Sequence, residues 1–187
     1  MSTVVLQSLE WDKCFSFGEA NRVELSNEAV TQIIAPNGFG KSSIPLIVEE
    51  ALYNKNSKGA KKSEIANRLL DGSYAIRLRF QVDEDEYLID TQRKSASIKI
   101  KLSKNGEDIS SHTATNTFKQ IEELLGMDFK TFQQLIYQST NSSLAFLTAT
   151  DTARKKFLID LFGLGDYTSL FEIFKESRRL DQDQAFP

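Results

Sequence analysis

Ala35-Pro36-Asn37-Gly38-Phe39-Gly40-Lys41-Ser42-Ser43 is the stretch on which the fold turns. An apolar, β-branched run from Val30 to Ile34 leads into it. A helical pattern from Lys41 to Tyr53 follows, with Leu46, Ile47, Ala51 and Leu52 as its apolar stripe. Strand, glycine turn, Lys-Ser pair and helix, in that order, make the context of a phosphate cradle. Gly38 and Gly40 let the backbone curl so that successive amides face an anion, and the helix N-terminus adds its positive dipole end. Lys41 is spaced to reach the β- and γ-phosphates of a nucleotide, and the Ser42 hydroxyl to ligate Mg²⁺. A glycine-rich loop before a helix is often a plain turn; the Lys-Ser pair and the run in front distinguish this one. The pattern G-x-x-x-x-G-K-[ST] is broken once, because Ala35 stands where the first glycine belongs and lacks easy access to positive φ. Pro45 is tolerable only because it falls near the first helical turn.

On the N-terminal side, Val4, Leu6 and Leu9 begin one strand and Val23 and Leu25 another, with Val30–Ile34 as a third. Beyond the first helix, 54–62 is a polar, lysine-rich loop, and a short helix over 63–70 ends at Asp71-Gly72. A β meander comes next: 75–82, a turn at 83–85, 87–91, and 98–102 before Asn105-Gly106. Helices are expected over 115–125 with Gly126 as C-cap, 129–134, 151–162 and 167–180. Lys99, Lys101 and Lys104 read as alternating on one face of the last meander strand, either as a solvated edge or against DNA phosphates.

The 187 residues suffice for one globular domain with a real core, and 40% hydrophobic with 26% charged residues is an ordinary globular composition. No apolar run approaches the ~20 residues of a membrane span, and Met1-Ser2-Thr3-Val4 lacks a signal-peptide pattern. Cys14 and His112 are the only residues of their kinds, which excludes a disulfide framework and a multi-ligand zinc or histidine centre within the chain. A reducing, cytoplasmic location is the natural reading. The net charge of -3 does not by itself indicate nucleic-acid binding.

The core Asn37-Gly38-Phe39-Gly40-Lys41-Ser42 resembles the Walker A motif of SMC and SbcC-type DNA repair ATPases. Leu6 to Phe17, a strand running into Phe-Ser-Phe, resembles that family's opening strand, and Glu50-Ala51-Leu52-Tyr53-Asn54 its helix end. Arg79-Phe80 and Tyr87-Leu88-Ile89 resemble its paired strands. Phe132-Gln133-Gln134-Leu135-Ile136-Tyr137-Gln138-Ser139 sits where the family has its Q-loop, with Ser139 in place of a frequent glycine. Phe146-Leu147, Arg154-Lys155-Lys156, Leu161-Phe162-Gly163-Leu164 and Tyr167 resemble the turn into a coiled coil. The resemblance spans nearly the whole chain in order and leans toward the ATPase subunits of phage recombination nucleases.

The resemblance implies an α/β P-loop NTPase fold: an ABC-ATPase head lobe with a mixed sheet around the P-loop helix, an antiparallel β lobe and helices leading to a coiled coil. It implies a division into a head lobe over 1–165 and the root of a coiled-coil arm over 166–187. ATP and Mg²⁺ are the implied cofactors. Asn37, Gly38, Phe39, Gly40, Lys41, Ser42 and Ser43 would hold the nucleotide, with Lys13 and Lys62 near its base or ribose. Lys41 and Gln138 would be catalytic, and Ser42 and Gln138 would ligate the metal.

No Leu-Ser-Gly-Gly signature, Asp-Glu strand or switch histidine appears; Phe157-Leu158-Ile159-Asp160 has only a superficial likeness to such a strand. The implied partners are therefore the C-terminal half of the head, a second head, an SbcD-type metal-dependent nuclease and double-stranded DNA. The expected function is the ATPase subunit of a DNA exonuclease complex in recombination, repair or degradation, in the host cytoplasm if phage-encoded. By itself the chain is expected to hydrolyse little ATP. A self-contained P-loop kinase or NTPase, a transport-type cassette and a chromosome-structuring SMC protein remain as alternatives.

Overall fold

The computed structural model describes residues 3–25, 30–135, 148–162 and 164–184. In chain order its elements are β1 (Val4–Asp12), β2 (Asn21–Glu24), a 3-10 turn (Lys41–Ser43), α1 (Ile44–Tyr53), α2 (Lys62–Ile65), β3 (Ser73–Val82), β4 (Asp85–Lys94), β5 (Ser97–Lys104) and β6 (Glu107–Asp108). Helices α3 (Ala114–Leu125), α4 (Phe129–Leu135), α5 (Asp151–Leu161) and α6 (Gly165–Gln184) complete it. Two compact units divide the chain, one ending at Phe129 and one beginning at Lys130.

In the first unit six strands form one sheet in the order β2-β1-β3-β4-β5-β6, antiparallel at every pairing. The period-2 pattern sorts its two faces. Leu9, Trp11, Ile76, Leu78, Phe80, Tyr87, Ile89 and Leu102 are buried, while Arg77 and Arg79, between them on β3, are exposed. Helix α1 covers the apolar face at β3 and β4 with Leu46, Ile47, Ala51 and Leu52, and α3 covers β5 while packing on α1. Phe118, Ile121 and Leu125 recur on α3 at helical spacing and supply its buried stripe. Thr113 caps α3 by accepting from the Asn116 amide, and Gly126, at φ +64°, ends it as expected.

The opposite face carries an ion-pair chain across four strands. Glu24 pairs with Arg22, Arg22 with Glu10 at 2.7 Å, Glu10 with Arg77 at 4.0 Å, and Arg77 with Asp90 at 3.0 Å. Exposed pairs of this kind contribute little individually, and here they fix cross-strand register more than stability.

Four expectations are corrected. Val30–Ile34 forms no strand; Val30 and Ile34 are 82% and 81% exposed. An extended segment needs a neighbour to take its backbone hydrogen bonds, and the described residues supply none. The parallel component of the expected mixed sheet is accordingly absent among the described residues. The short helix stops at Ile65 rather than Leu70, because Ala66 leaves it to bridge Cys14. Lys104 does not share a face with Lys99 and Lys101: the odd positions of β5 point outward, and Lys104 reaches Asp85 at 2.8 Å. The segment Phe157–Asp160 is helical, within α5, as its surroundings implied.

In the second unit, α6 is a 20-residue helix whose Tyr167, Leu170, Phe171, Ile173 and Phe174 are exposed. No helix among the described residues is long and apolar enough to cross a membrane.

Ile89 is fully buried at the centre of the sheet, between β3 and β5. Ile89→Ala should lower the unfolding free energy by about 2–5 kcal/mol, seen as a lower urea midpoint with an unchanged denaturant slope.

Candidate nucleotide-binding site

The glycine turn between 35 and 43 is built as the phosphate-cradle reading requires. Gly38 and Gly40 have φ of +88° and +80°, in the left-handed region that side chains avoid. Gly40 then starts the 3-10 turn, with the Ser43 amide donating to its carbonyl at 2.8 Å. No side chain caps either this turn or α1, and no acidic residue lies in the first turn of either. The positive dipole end therefore faces the loop without a capping side chain or a carboxylate against it, an environment that favours an anion. Pro45 sits at the start of α1, where its missing donor costs nothing.

The Lys41 ammonium lies across this loop and donates to the carbonyls of Ala35 at 2.5 Å and Pro36 at 2.9 Å. Ser42 is exposed, as are Asn37, Gly38 and Phe39, the last by 66%. Ser42 is thus open to solvent beside the turn, and the partly buried Lys41 lies next to it. These residues fit a triphosphate with a divalent cation: an ammonium held only by main-chain carbonyls, an exposed hydroxyl and loop amides without a competing carboxylate.

Against the back of this loop rests the Phe-Ser-Phe turn, which the sequence reading noted only as the end of the opening strand and not as part of the site. A Cβ built on Gly40 would lie 2.8 and 2.9 Å from ring atoms of Phe17 and 3.1 Å from the Ser16 hydroxyl. Phe17 stands edge-on to Trp11, ring centroids 5.1 Å apart. The turn that carries Phe17 closes through Lys13 N–H to the Gly18 carbonyl (2.7 Å) and Phe17 N–H to the Cys14 carbonyl (2.9 Å). It is fastened to residues 65–67 by Phe15 N–H to Ile65, Asn67 N–H to Lys13, and the Asn67 side-chain amide to the Phe17 carbonyl. A short polar turn ending in Phe-Ser-Phe was the available signal, but its contact partner, Gly40, lies more than twenty residues away in sequence.

The far end of α1 holds a buried charged cluster. Glu50, 1% exposed, accepts from the Lys62 ammonium at 2.5 and 2.7 Å and from the Tyr74 hydroxyl at 2.7 Å. Lys62 also donates to the Asn54 carbonyl at 2.7 Å, and Arg93 to the Asn54 side chain at 2.8 Å. Burial pulls the Lys62 ammonium below its ordinary value, with Glu50 opposing that shift. Glu49 is fully buried; one oxygen accepts from the Ser57 amide at 2.6 Å and the other has no partner. Burial raises its carboxyl above the ordinary range, and the Ser57 bonds oppose the shift.

Of the site residues expected from the sequence, Asn37 to Ser43 therefore come together on one loop. Lys13 is held by Glu19 at 3.2 Å and Asp71 at 3.4 Å, and Lys62 by Glu50. Gln138 lies outside the described residues.

The fold and loop define a P-loop head lobe of the ABC-ATPase type. The chain belongs to the AAA domain family, whose model matches residues 8–185. It is 44% identical over 180 residues to a probable exonuclease subunit 2 of Escherichia phage T5, an alignment covering 96% of this chain and 29% of that protein. It is 28% identical over 148 residues to a DNA double-strand break repair Rad50 ATPase of Methanococcus maripaludis, covering 78% of this chain and 14% of that one. The chain thus spans less than a third of these curated relatives. Among solved structures, one from work on ATP-driven dimerization and DNA stimulated activation of SMC ATPases matches with a TM-score of 0.61 at 17% identity, covering 84% of this chain and 99% of that one.

A carboxyl whose pKa is raised by folding stabilises while protonated and loses that contribution as pH rises through its folded value. Glu49→Gln should therefore match the wild-type urea midpoint below about pH 4 and exceed it increasingly toward about pH 7. Parallel midpoints across that range would contradict the assignment.

Proposed function

We propose that this chain is the nucleotide-binding N-terminal lobe of an ATPase head that serves a DNA exonuclease complex. One observation carries the nucleotide reading: a helix start without a side-chain cap or acidic residue, behind two left-handed glycines, with Lys41 and an exposed Ser42 beside it. Membership of the AAA domain family supports an ATPase, and likeness to a phage exonuclease subunit 2 supports its use beside a nuclease.

Asn37 to Ser43 would cradle the phosphates through main-chain amides, with Lys41 leaving the Ala35 and Pro36 carbonyls for the β- and γ-phosphates. Ser42 would ligate Mg²⁺, together with Gln138. The bound Mg²⁺–ATP supplies the phosphoanhydride and the divalent charge. Lys13 and Lys62 approach the base or ribose in this reading only after giving up their carboxylate partners. Lys62 is the less available of the two, because releasing it would strand the buried Glu50.

The bare Val30–Ile34 run would be paired by the C-terminal half of the head, which would also bring the signature loop and the acidic catalytic strand. Two such heads would close on ATP and gate a metal-dependent nuclease subunit acting on double-stranded DNA in the cytoplasm. Residues 166–187 would be the root of a coiled-coil arm, in keeping with the long, solvent-exposed α6.

The test is ATP hydrolysis by the chain alone, after addition of a C-terminal head fragment, and in Lys41→Ala. Negligible turnover alone, restored by the fragment and lost at least about a hundredfold in Lys41→Ala, is expected. Robust Lys41-dependent turnover by the chain alone would favour a self-contained NTPase.

A further inference from the structure

We infer that Phe17 is a positioning residue for the phosphate loop, a buttress that holds Gly40 in its left-handed conformation before nucleotide arrives. The inference deepens the nucleotide-binding reading and rests on it.

Phe17 is only half-buried, so filling the core does not account for its placement. Its ring instead lies against the α-carbon face of Gly40, so close that a single added methyl would meet it at 2.8 Å. Gly38, the other left-handed glycine of the loop, has nothing within 4 Å of the same position. The contact is thus specific to the glycine from which the helix starts.

The chain accepts backbone strain to put the ring there. Lys13, Phe15 and Ala20 all have positive φ, at +58°, +53° and +57°, a conformation that carries a cost for residues with side chains. Such residues persist only where the surroundings over-determine them. Here the surroundings are the hydrogen bonds to Ile65 and Asn67, the Cys14–Ala66 bridge and the Trp11 ring.

Glycine alone would leave the loop free to sample both signs of φ, and that freedom would have to be surrendered on binding. A ring wedged against Gly40 removes it in advance. The amides that start the helix are then already aimed at the anion.

The measurement is the dissociation constant of fluorescent ATP, with a thermal melt of each variant. Phe17→Ala should bind about five- to thirtyfold more weakly, the equivalent of ordering about one residue of loop, while Phe17→Leu, which keeps apolar bulk behind the loop, should lie between Phe17→Ala and wild type. Gly40→Ala should cost more in the wild-type background than in Phe17→Ala, because the added methyl then no longer meets a ring. A role confined to overall stability predicts additive losses that track the melting temperature. If Phe17→Ala does not fold, Asn67→Ala removes the amide that holds the Phe17 carbonyl and should weaken binding in the same direction. Wild-type affinity in a folded Phe17→Ala or Asn67→Ala protein overturns the inference while binding still depends on Lys41. Absence of Lys41-dependent binding in the wild type overturns the nucleotide reading itself, and this inference with it.

Discussion

The helical turn that leads into α1 starts without a side chain to cap it. The first turn of α1 has neither a capping side chain nor a carboxylate, and the turn ahead of it is held open by two glycines in a conformation other residues avoid. A buried helix start without partners would be unfavourable; one facing solvent at the mouth of a loop offers an environment that favours an anion. The rest of the first unit is arranged so that this end stays exposed while the remainder of α1 is fixed. Leu46, Ile47, Ala51 and Leu52 anchor the helix to the apolar face of the sheet. Phe17 approaches the loop from behind at Gly40, where an added side chain would meet its ring.

The opposite end of α1 is secured by charge. Glu50 sits in the interior with an ammonium and a phenol directed at it, and the Asn54 cap is held by Lys62 and Arg93. Buried pairs of this kind add less net stability than their short distances suggest, because both groups must leave water. Their effect is geometric. They tie the end of the helix to α2, β3 and β4 through Lys62, Tyr74 and Arg93. Lys62 therefore reads as part of the framework more readily than as a nucleotide ligand.

The phosphate loop was legible because its chemistry is local: two glycines, a lysine and a serine at fixed spacing, ahead of a helical stripe. The meander was legible because the alternation in β3 and β4 sorts residues onto faces without reference to anything distant. Periodicity misled where a partner was required. Val30–Ile34 has the composition of a buried strand, yet composition cannot supply the neighbour that would pair it. The count along β5 also failed at Lys104, which lies an odd number of residues from Lys101 and so turns to the other face.

Spacing and residue type thus determined by themselves the glycine-rich turn, the amphipathic helices and the strand meander, since each follows from interactions within a few residues. Tertiary structure alone decided that Phe17 stands behind Gly40, that Lys62 faces Glu50, and that Cys14 to Phe17 are clasped by Ile65 to Asn67. These contacts join segments twelve to about fifty residues apart. Their existence depends on how the sheet twists and where α1 lies across it, quantities that no local pattern in the chain encodes.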